Sequence, residues 1–320
     1  MTQPSALLVA GPTASGKSAL ALALAERLGG TVINADSMQV YRELRILTAR
    51  PTPEEEARVP HRLYGIRPAA EAASVAWWRG EALAAMAEAV GQGRMPILCG
   101  GTGLYFLSLT QGLSAIPPVP EAARAEARAL LAELGAPVLH ARLAAMDPET
   151  AATLRPGDSQ RVARAYEVRL GTGRGLLAWQ REAEHTGPAP YRFAALLLDP
   201  PRALLRQAIA ARFDAMLARG ALEEVRRLLE LGLDPALPAM RAHGVPELAA
   251  YLSGRMVLAE ARQRAVLNIG QYTKRQATWF RHHDLADPAH THIIHARIEG
   301  LAQFSERERA EIFAFVESWR

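Results

Sequence analysis

Gly11-Pro12-Thr13-Ala14-Ser15-Gly16-Lys17-Ser18 has the form G-x-x-x-x-G-K-[ST], a loop whose backbone N–H groups cradle phosphate oxygens. Its flanks agree. Ala6 to Ala10 is a short apolar run suited to a strand buried on both faces. Ala19 to Leu28 is rich in Ala and Leu, strong helix formers. A strand, this loop and a helix in that order bring phosphate to a helix N-terminus, where unpaired N–H groups and the helix dipole favour anions. Lys17 supplies positive charge, and Ser18 a hydroxyl for a divalent metal. A glycine-rich turn that binds nothing is the alternative, and the agreement of loop and flanks speaks against it. The loop leaves open which phosphate compound it holds, and whether a phosphoryl group is transferred or merely leaves.

Working outward, Thr31-Val32-Ile33-Asn34-Ala35 reads as a second strand, ending at Asp36-Ser37-Met38-Gln39-Val40-Tyr41. Ligands of open α/β sheets gather at the carboxyl ends of strands, so Asp36 belongs to the same crevice as the phosphate loop. The plainer reading makes Asp36 the N-cap of a following helix. Thr48 to Glu54 is a proline-punctuated loop, Ser74 to Gly91 a helix, and Pro96 to Cys99 another apolar strand. Gly100-Gly101-Thr102-Gly103-Leu104-Tyr105 then makes a further glycine-rich turn aimed at the crevice.

From Ser114 the character changes. Ile116-Pro117-Pro118-Val119-Pro120 is a boundary-like proline cluster. Helical runs follow over Glu121–Leu134, Pro137–Met146 and Pro148–Leu154, then Asp158 to Val168, where Asp158 suits an N-cap. Gln160, Arg161 and Arg164 fall near one another at helical spacing; a solvated charged face is the bland account of them. The strand pattern resumes at Arg192 to Asp199. This divides the chain into a first part of a sheet core (1–115), a helical insert (116–190) and a second part of the core (191–320). Leu196-Leu197-Leu198-Asp199 has the form of an apolar strand ending in a metal-supporting acid. Helices are expected over Arg202–Arg219, Leu222–Leu231 and Met256–Arg281. The last gathers Arg262, Arg264, Lys274, Arg275 and Arg281 with Tyr272, Trp279 and Phe280, a composition suited to nucleic acid. His290 to His295 reads as an edge strand; its alternating histidines lack a nearby acid or cysteine to complete a metal site.

Composition sets the frame. A chain of 320 residues with 49% hydrophobic and 22% charged residues is that of a soluble globular protein with a substantial core. Of 37 basic residues only Lys17 and Lys274 are lysine. Against that arginine bias, lysine in the phosphate loop marks a position that needs a compact point charge rather than a planar fork. The single cysteine, Cys99, excludes an intramolecular disulfide and a cysteine-rich zinc site. Met1 to Ala10 lacks a signal peptide's basic start and long apolar core. No apolar stretch is expected to reach membrane-spanning length. The expectation is a cytoplasmic, monomeric protein that does not engage a membrane.

Taken together, these segments resemble the tRNA dimethylallyltransferase (tRNA isopentenyltransferase) family. The resemblance is carried by Gly11 to Ser18, Asp36-Ser37-Met38-Gln39-Val40-Tyr41-Arg42, Thr48-Ala49-Arg50-Pro51, Pro60-His61-Arg62-Leu63, Gly100 to Tyr105, Gln160-Arg161-Val162-Ala163-Arg164-Ala165 and Lys274-Arg275-Gln276, in order over nearly the whole chain. It implies an α/β fold: a P-loop NTPase-like parallel sheet core flanked by helices, carrying an inserted all-helical domain. It implies transfer of a dimethylallyl group from dimethylallyl diphosphate to the exocyclic N6 amine of the adenosine immediately 3′ of the anticodon, with pyrophosphate leaving and Mg2+ on Ser18. In the family's arrangement the residues of the loop, Gly11, Pro12, Thr13, Ala14, Ser15, Gly16, Lys17 and Ser18, grip the diphosphate together with Arg212. Thr102 contacts its bridging-oxygen region, and Asp36 holds the adenine amine and accepts its proton. Ser37, Met38 and Gln39 lie at the adenine, with Ser37 and Gln39 suited to reading its edge. Arg124, Gln160, Arg161, Val162, Ala163 and Arg164 grip the anticodon stem-loop.

The chain departs from the family where G-Y-R-E is common: it reads Gly244-Val245-Pro246-Glu247, losing an aromatic and a cation. Two other enzymes fit part of the pattern. A phosphate-loop kinase of a small molecule accounts for the loop and Asp199 but not for Asp36 to Gln39 or the insert. A prenyltransferase acting on free adenine nucleotides leaves the basic insert without a role. A non-catalytic RNA-binding protein leaves the phosphate loop idle.

Overall fold

The apolar runs become the strands of one parallel sheet in the computed structural model, which describes residues 3–182, 186–299 and 305–319. In chain order, β1 (Ser5–Ala10) leads through the phosphate loop into α1 (Lys17–Leu28) and β2 (Gly30–Asn34). Next come α2 (Pro53–Arg58), β3 (His61–Arg62), α3 (Val75–Gly91), β4 (Met95–Gly100) and α4 (Gly103–Thr110). A run of four helices follows: α5 (Glu121–Met146), α6 (Pro148–Ala152), α7 (Ser159–Thr172) and α8 (Leu176–Glu182). The chain then returns as β5 (Arg192–Leu198), α9 (Arg202–Ala218), α10 (Ala221–Glu230), α11 (Val245–Leu252), α12 (Leu258–Arg281), β6 (Thr291–Ile294) and α13 (Glu306–Glu317).

The strand order is β3-β2-β4-β1-β5-β6, every pair parallel. Strand alternation sends successive residues to opposite faces. Leu8, Ala10, Ile33, Leu98, Ala195 and Leu197 enter one core, with Trp78, Phe106 and Phe213 from the helices. Leu7, Val9, Val32, Ile97, Cys99, Leu196 and Leu198 enter the other, with Leu20 and Leu24 of α1. Burial on both faces is what makes these strands read as continuous apolar runs. Because β1 is flanked by β4 and β4 by β2, the loops leaving the carboxyl ends of these three strands lie side by side. They are the phosphate loop, residues 35–41 and residues 101–103.

The proline-punctuated segment around Thr52 holds more structure than a loop. Thr52 caps α2 through a capping box, its side chain accepting from Glu55 N–H while Glu55 reaches back to Thr52 N–H. Gly244-Val245-Pro246-Glu247 opens α11. Glu247 accepts from Gly244 N–H at 3.1 Å and from Asn268 Nδ2 of α12 at 2.6 Å. Val245 and Glu247 are both buried, so this stretch builds the fold.

Residues 112–187 form a compact helical unit of their own, and residues 1–111 with 188–320 form the sheet unit. Within the insert, Ala127, Leu139, Leu143, Ala151, Val162, Ala165 and Tyr166 make a core. Val162 is fully buried there, so it holds α7 onto its neighbours and offers no side-chain surface to RNA. Contrary to the sequence expectation, one segment, Glu121–Met146, is long and apolar enough by length and composition to cross a membrane. Its backbone leaves helical geometry at Gly135 (φ 76, ψ 165), two residues before Pro137. Such a break would strand backbone polar groups in lipid, whereas here Leu139 and Leu143 beyond it pack into the insert's core.

Candidate active site

The phosphate loop is fixed by its own turn and from outside. Ser15 N–H donates to Pro12 O at 3.2 Å, and Lys17 Nζ donates to the same carbonyl at 3.4 Å. From the segment after β6, Ile298 N–H donates to Ser15 O at 2.8 Å and Arg297 Nε to Ala14 O at 3.1 Å. Gly16 lies at φ +92, and a Cβ there would stand 1.8 Å from Ile298 O, so this position requires glycine twice over. With these carbonyls engaged from behind, and the Ser15 and Thr13 amides committed to Pro12 O and to Gln276, the amides of the first turn of α1 are left to face an anion.

Asp36 is held by a short polar relay at the end of β2. The fully buried Asn34 accepts Asp36 N–H through Oδ1 at 2.9 Å, while its Nδ2 donates to Asp36 O at 3.0 Å and Leu63 O at 3.1 Å. Asp36 Oδ1 accepts Met38 N–H at 2.9 Å, an Asx turn. No helix begins here, so Asp36 is not a helix cap; Oδ2 makes no hydrogen bond among the described residues. Thr102 Oγ1 accepts Ser37 N–H at 2.9 Å, and Thr102 N–H donates to Ala35 O at 3.2 Å. With its acceptor occupied in this way, the Thr102 hydroxyl keeps a hydrogen to donate.

The charges converge. Burial lowers the pKa of Lys17, the negative charge of Asp36 raises it, and the Arg212 charge lowers it again. Burial likewise lowers Arg212, against the pull of Asp36, and His243, against Glu247 and Asp36. Two cations and a histidine are thus within electrostatic reach of one carboxylate, an arrangement suited to binding an anion beside a base. Burial pushes the Cys99 thiol up to about 11, so it remains protonated and is no nucleophile. Burial also raises Tyr105 and Tyr272, with the Asp36 charge adding to it, so both phenols stay neutral.

Other residues singled out from the sequence take different places. The Gln39 amide donates to Thr48 O at 2.8 Å and Ala49 O at 3.0 Å, so its nitrogen braces this turn instead of reading a base. Met38 is half-buried and packs on the core. Asp199 is bound bidentately by Arg281, at 2.8 and 3.0 Å, so its carboxylate is committed to a guanidinium. In the insert, Gln160 is exposed and Ala163 half-buried. Arg161 pairs with Asp158 at 3.5 Å, Arg164 with Glu167 at 2.6 Å and Arg124 with Glu121 at 3.9 Å. Three residues have bracing roles that the sequence does not announce: Asn34 lies in an expected strand, Glu224 in an expected helix, and Gln276 in the Lys274-Arg275-Gln276 stretch that carries the family resemblance. Glu224 is buried and accepts the N–H groups of Arg45, Ile46 and Leu47 at 2.7 to 2.9 Å. Their common signal is a polar residue at a position whose spacing places it among apolar neighbours.

The donor set bears on a metal. Ser18 is exposed in the first turn of α1. No group of three or more His, Cys, Asp or Glu suited to a metal occurs among the described residues. One hydroxyl fits an ion that takes its remaining ligands from phosphate oxygens and water, as magnesium does.

The chain was compared with known proteins. A family model described as IPP transferase matches residues 39–283, and one described as isopentenyl transferase matches residues 4–72. A tRNA dimethylallyltransferase of Granulibacter bethesdensis is 60% identical over 319 residues, covering 100% of both chains. The crystal structure of the full-length tRNA isopentenylpyrophosphate transferase of Bacillus halodurans aligns with a TM-score of 0.68 at 33% identity, over 99% of this chain and 96% of that one. A eukaryotic dimethylallyltransferase acting on tRNA aligns with a TM-score of 0.78 at 26% identity, over 99% of this chain and 80% of that one. On the family match and the full-length identity, the chain belongs to the IPP transferase family.

Proposed function

We propose that the protein is a tRNA dimethylallyltransferase, using dimethylallyl diphosphate to prenylate N6 of the adenosine 3′-adjacent to the anticodon. The observation that carries this reading is the placement of Lys17, Asp36 and Thr102 after the carboxyl ends of β1, β2 and β4, within electrostatic reach of Arg212 of α9. It joins an anion site to a base, which prenyl transfer to an amine requires.

An exocyclic adenine amine is a weak nucleophile, because its lone pair is delocalised into the ring. As N6 attacks the allylic carbon, the bond between that carbon and the diphosphate oxygen breaks, and N6 gains positive charge. Asp36 takes the acidified proton, leaving a neutral secondary amine and free pyrophosphate. Charge growing on the leaving oxygens is met by Lys17, Arg212, the loop amides and the Thr102 hydroxyl, groups that act most strongly in the transition state. Mg2+ bound at Ser18 would neutralise further diphosphate charge. An adenosine within a stacked loop cannot reach this site, so it flips out to enter. The insert's Arg124, Gln160, Arg161 and Arg164 contact the anticodon stem-loop. The reading includes a monomeric enzyme in the cytoplasm.

The commitment of Asp199 to Arg281 removes the acid on which a kinase reading relied. The decisive assay incubates purified protein with labelled dimethylallyl diphosphate and either tRNA or AMP. Label in tRNA, at the adenosine beside the anticodon, is expected. Label in AMP alone, or phosphorylation of a small acceptor by ATP without prenyl transfer, would overturn the reading.

A further inference from the structure

One buried side chain on α12 touches both the phosphate loop and the turn after β4. Gln276 is 5% exposed. Its Oε1 accepts from Thr13 N–H at 2.9 Å and from Thr13 Oγ1 at 3.0 Å, and its Nε2 donates to Gly101 O at 2.9 Å. The partners fix the amide's orientation, since an N–H demands the oxygen and a carbonyl demands the NH2. Gly101 is followed by Thr102, whose hydroxyl holds Ser37 N–H beside Asp36. A continuous hydrogen-bonded path therefore runs from the phosphate loop through Gln276 and Thr102 to the segment bearing the carboxylate.

We propose that Gln276 is a positioning residue that sets the separation between the phosphate loop and the Asp36–Thr102 pair. The proposal rests on the prenyl-transfer reading. In a displacement the reacting carbon must lie in line between the leaving oxygen, held by the loop, and the attacking nitrogen, held by Asp36. A misplacement of about 1 Å between such groups costs about 10²-fold in rate. Glutamine suits the position because each end of its amide meets the complementary group. Glutamate would keep the acceptor for Thr13 but set its second oxygen against Gly101 O. Methionine would fill the space and leave the Thr13 N–H and Gly101 O unpaired. The fit is close on the other side as well, since a Cβ on Gly101 would stand 2.3 Å from Gln276 Nε2.

The test measures kcat and KM for Gln276→Glu, Gln276→Met and Gly101→Ala, with calorimetric titration of inorganic pyrophosphate and thermal unfolding alongside. Each variant is expected to unfold cooperatively, to lose about 10²-fold in kcat, and to keep its KM for tRNA and its pyrophosphate affinity. Thr13→Val, which removes only the Oγ1 bond, should lose less, and in combination with Gln276→Met should add little to the latter's loss. Wild-type kcat in the glutamate and methionine variants would overturn the proposal. So would activity loss that follows only the folded fraction, or a rise in KM with kcat unchanged. If Gln276→Met does not fold, Gln276→Glu and Gly101→Ala decide. Absence of prenyl transfer in the wild-type enzyme, by contrast, would indict the functional reading and not this one.

Discussion

The two units hold their polar residues in opposite ways. In the sheet unit, Asp36, Ser37, Thr13 and Thr102 are tied by hydrogen bonds to Asn34, Gln276 and backbone groups, most of them buried or half-buried. In the insert, Arg161 is 74% exposed and Arg164 42% exposed in its side chain, and each pairs with an acid three residues away. Exposed pairs of this kind contribute little to stability and fix geometry poorly. A reacting amine needs its partners placed to within a fraction of an ångström, whereas a phosphate backbone responds to charge density and tolerates mobile side chains. Damage to the sheet unit should accordingly appear in kcat, and damage to the insert in RNA affinity and its salt dependence.

The largest effect is expected at Asp36. Asp36→Asn keeps the size and the acceptor for Met38 N–H but removes the charge and the base, so kcat should fall by about 10²–10⁴. Apparent tRNA affinity should change little, the pattern of an interaction made in the transition state. An unchanged kcat with a raised KM for tRNA would make Asp36 a binding residue. Lys17→Ala should cost about 10²–10³ in kcat, in line with removal of one donor to a developing oxyanion, while tRNA still binds. Burial lowers the Lys17 pKa below the ordinary 10.5. The ammonium is the form that binds diphosphate, so pyrophosphate affinity should weaken as pH rises through that lowered value, and Lys17→Ala should abolish the dependence. Titrations that give the same pH dependence for both proteins would assign it to another group.

What the sequence disclosed follows the same division. The phosphate loop, every strand of the sheet except the two-residue β3, the helical insert and the family were legible because each is written in consecutive residues: an apolar run, a glycine spacing, a proline cluster. The insert's basic helix was legible too, as the i, i+3 and i+4 spacing of Gln160, Arg161 and Arg164, although the same spacing hid that Val162 turns inward. The bracing residues were not legible. Glu224 and Gln276 act on partners 177 to 179, and 175 or 263 residues away, and Asn34 ties Asp36, two residues on, to Leu63, 29 residues away, relations that local periodicity does not encode. Short elements such as α2 and α11 were missed for another reason. Proline around Thr52 reads as a loop and Gly244-Val245-Pro246-Glu247 carries no expected element, yet in each case the proline sits in the first turn, where a helix tolerates it.

The middle of the range belongs to the insert's cations. Arg161→Ala with Arg164→Ala should weaken tRNA binding and reduce the slope of log affinity against log salt by about 1.5, as two fewer counterions are released. Pyrophosphate binding and single-turnover rate at saturating tRNA should stay as in the wild type. An unchanged affinity and slope would reduce these arginines to a solvated face, and a fall in the saturated rate would erase the contrast between the units.

The smallest effect has the opposite sign and asks whether the insert's ion pairs serve the fold or hinder the ligand. Glu167 is 16% exposed and accepts from Arg164 at 2.6 Å. Arg164 bound to a phosphate must give up or share that partner, and the Glu167 charge also repels the RNA backbone. Glu167→Gln keeps the side chain's size and an acceptor oxygen while removing both obstacles. Only the guanidinium end of this pair is exposed, and such a pair contributes little, so stability should change only slightly. Affinity for tRNA should tighten by about twofold to fivefold, chiefly at low salt, where the repulsion is least screened. With Arg164→Ala in the background the gain should shrink, since only the long-range repulsion remains to be relieved. Weaker binding in Glu167→Gln would mean that the pair presents Arg164 in a fixed pose. The insert would then be preorganised after all, like the sheet unit, and the difference between the two units would be one of exposure alone.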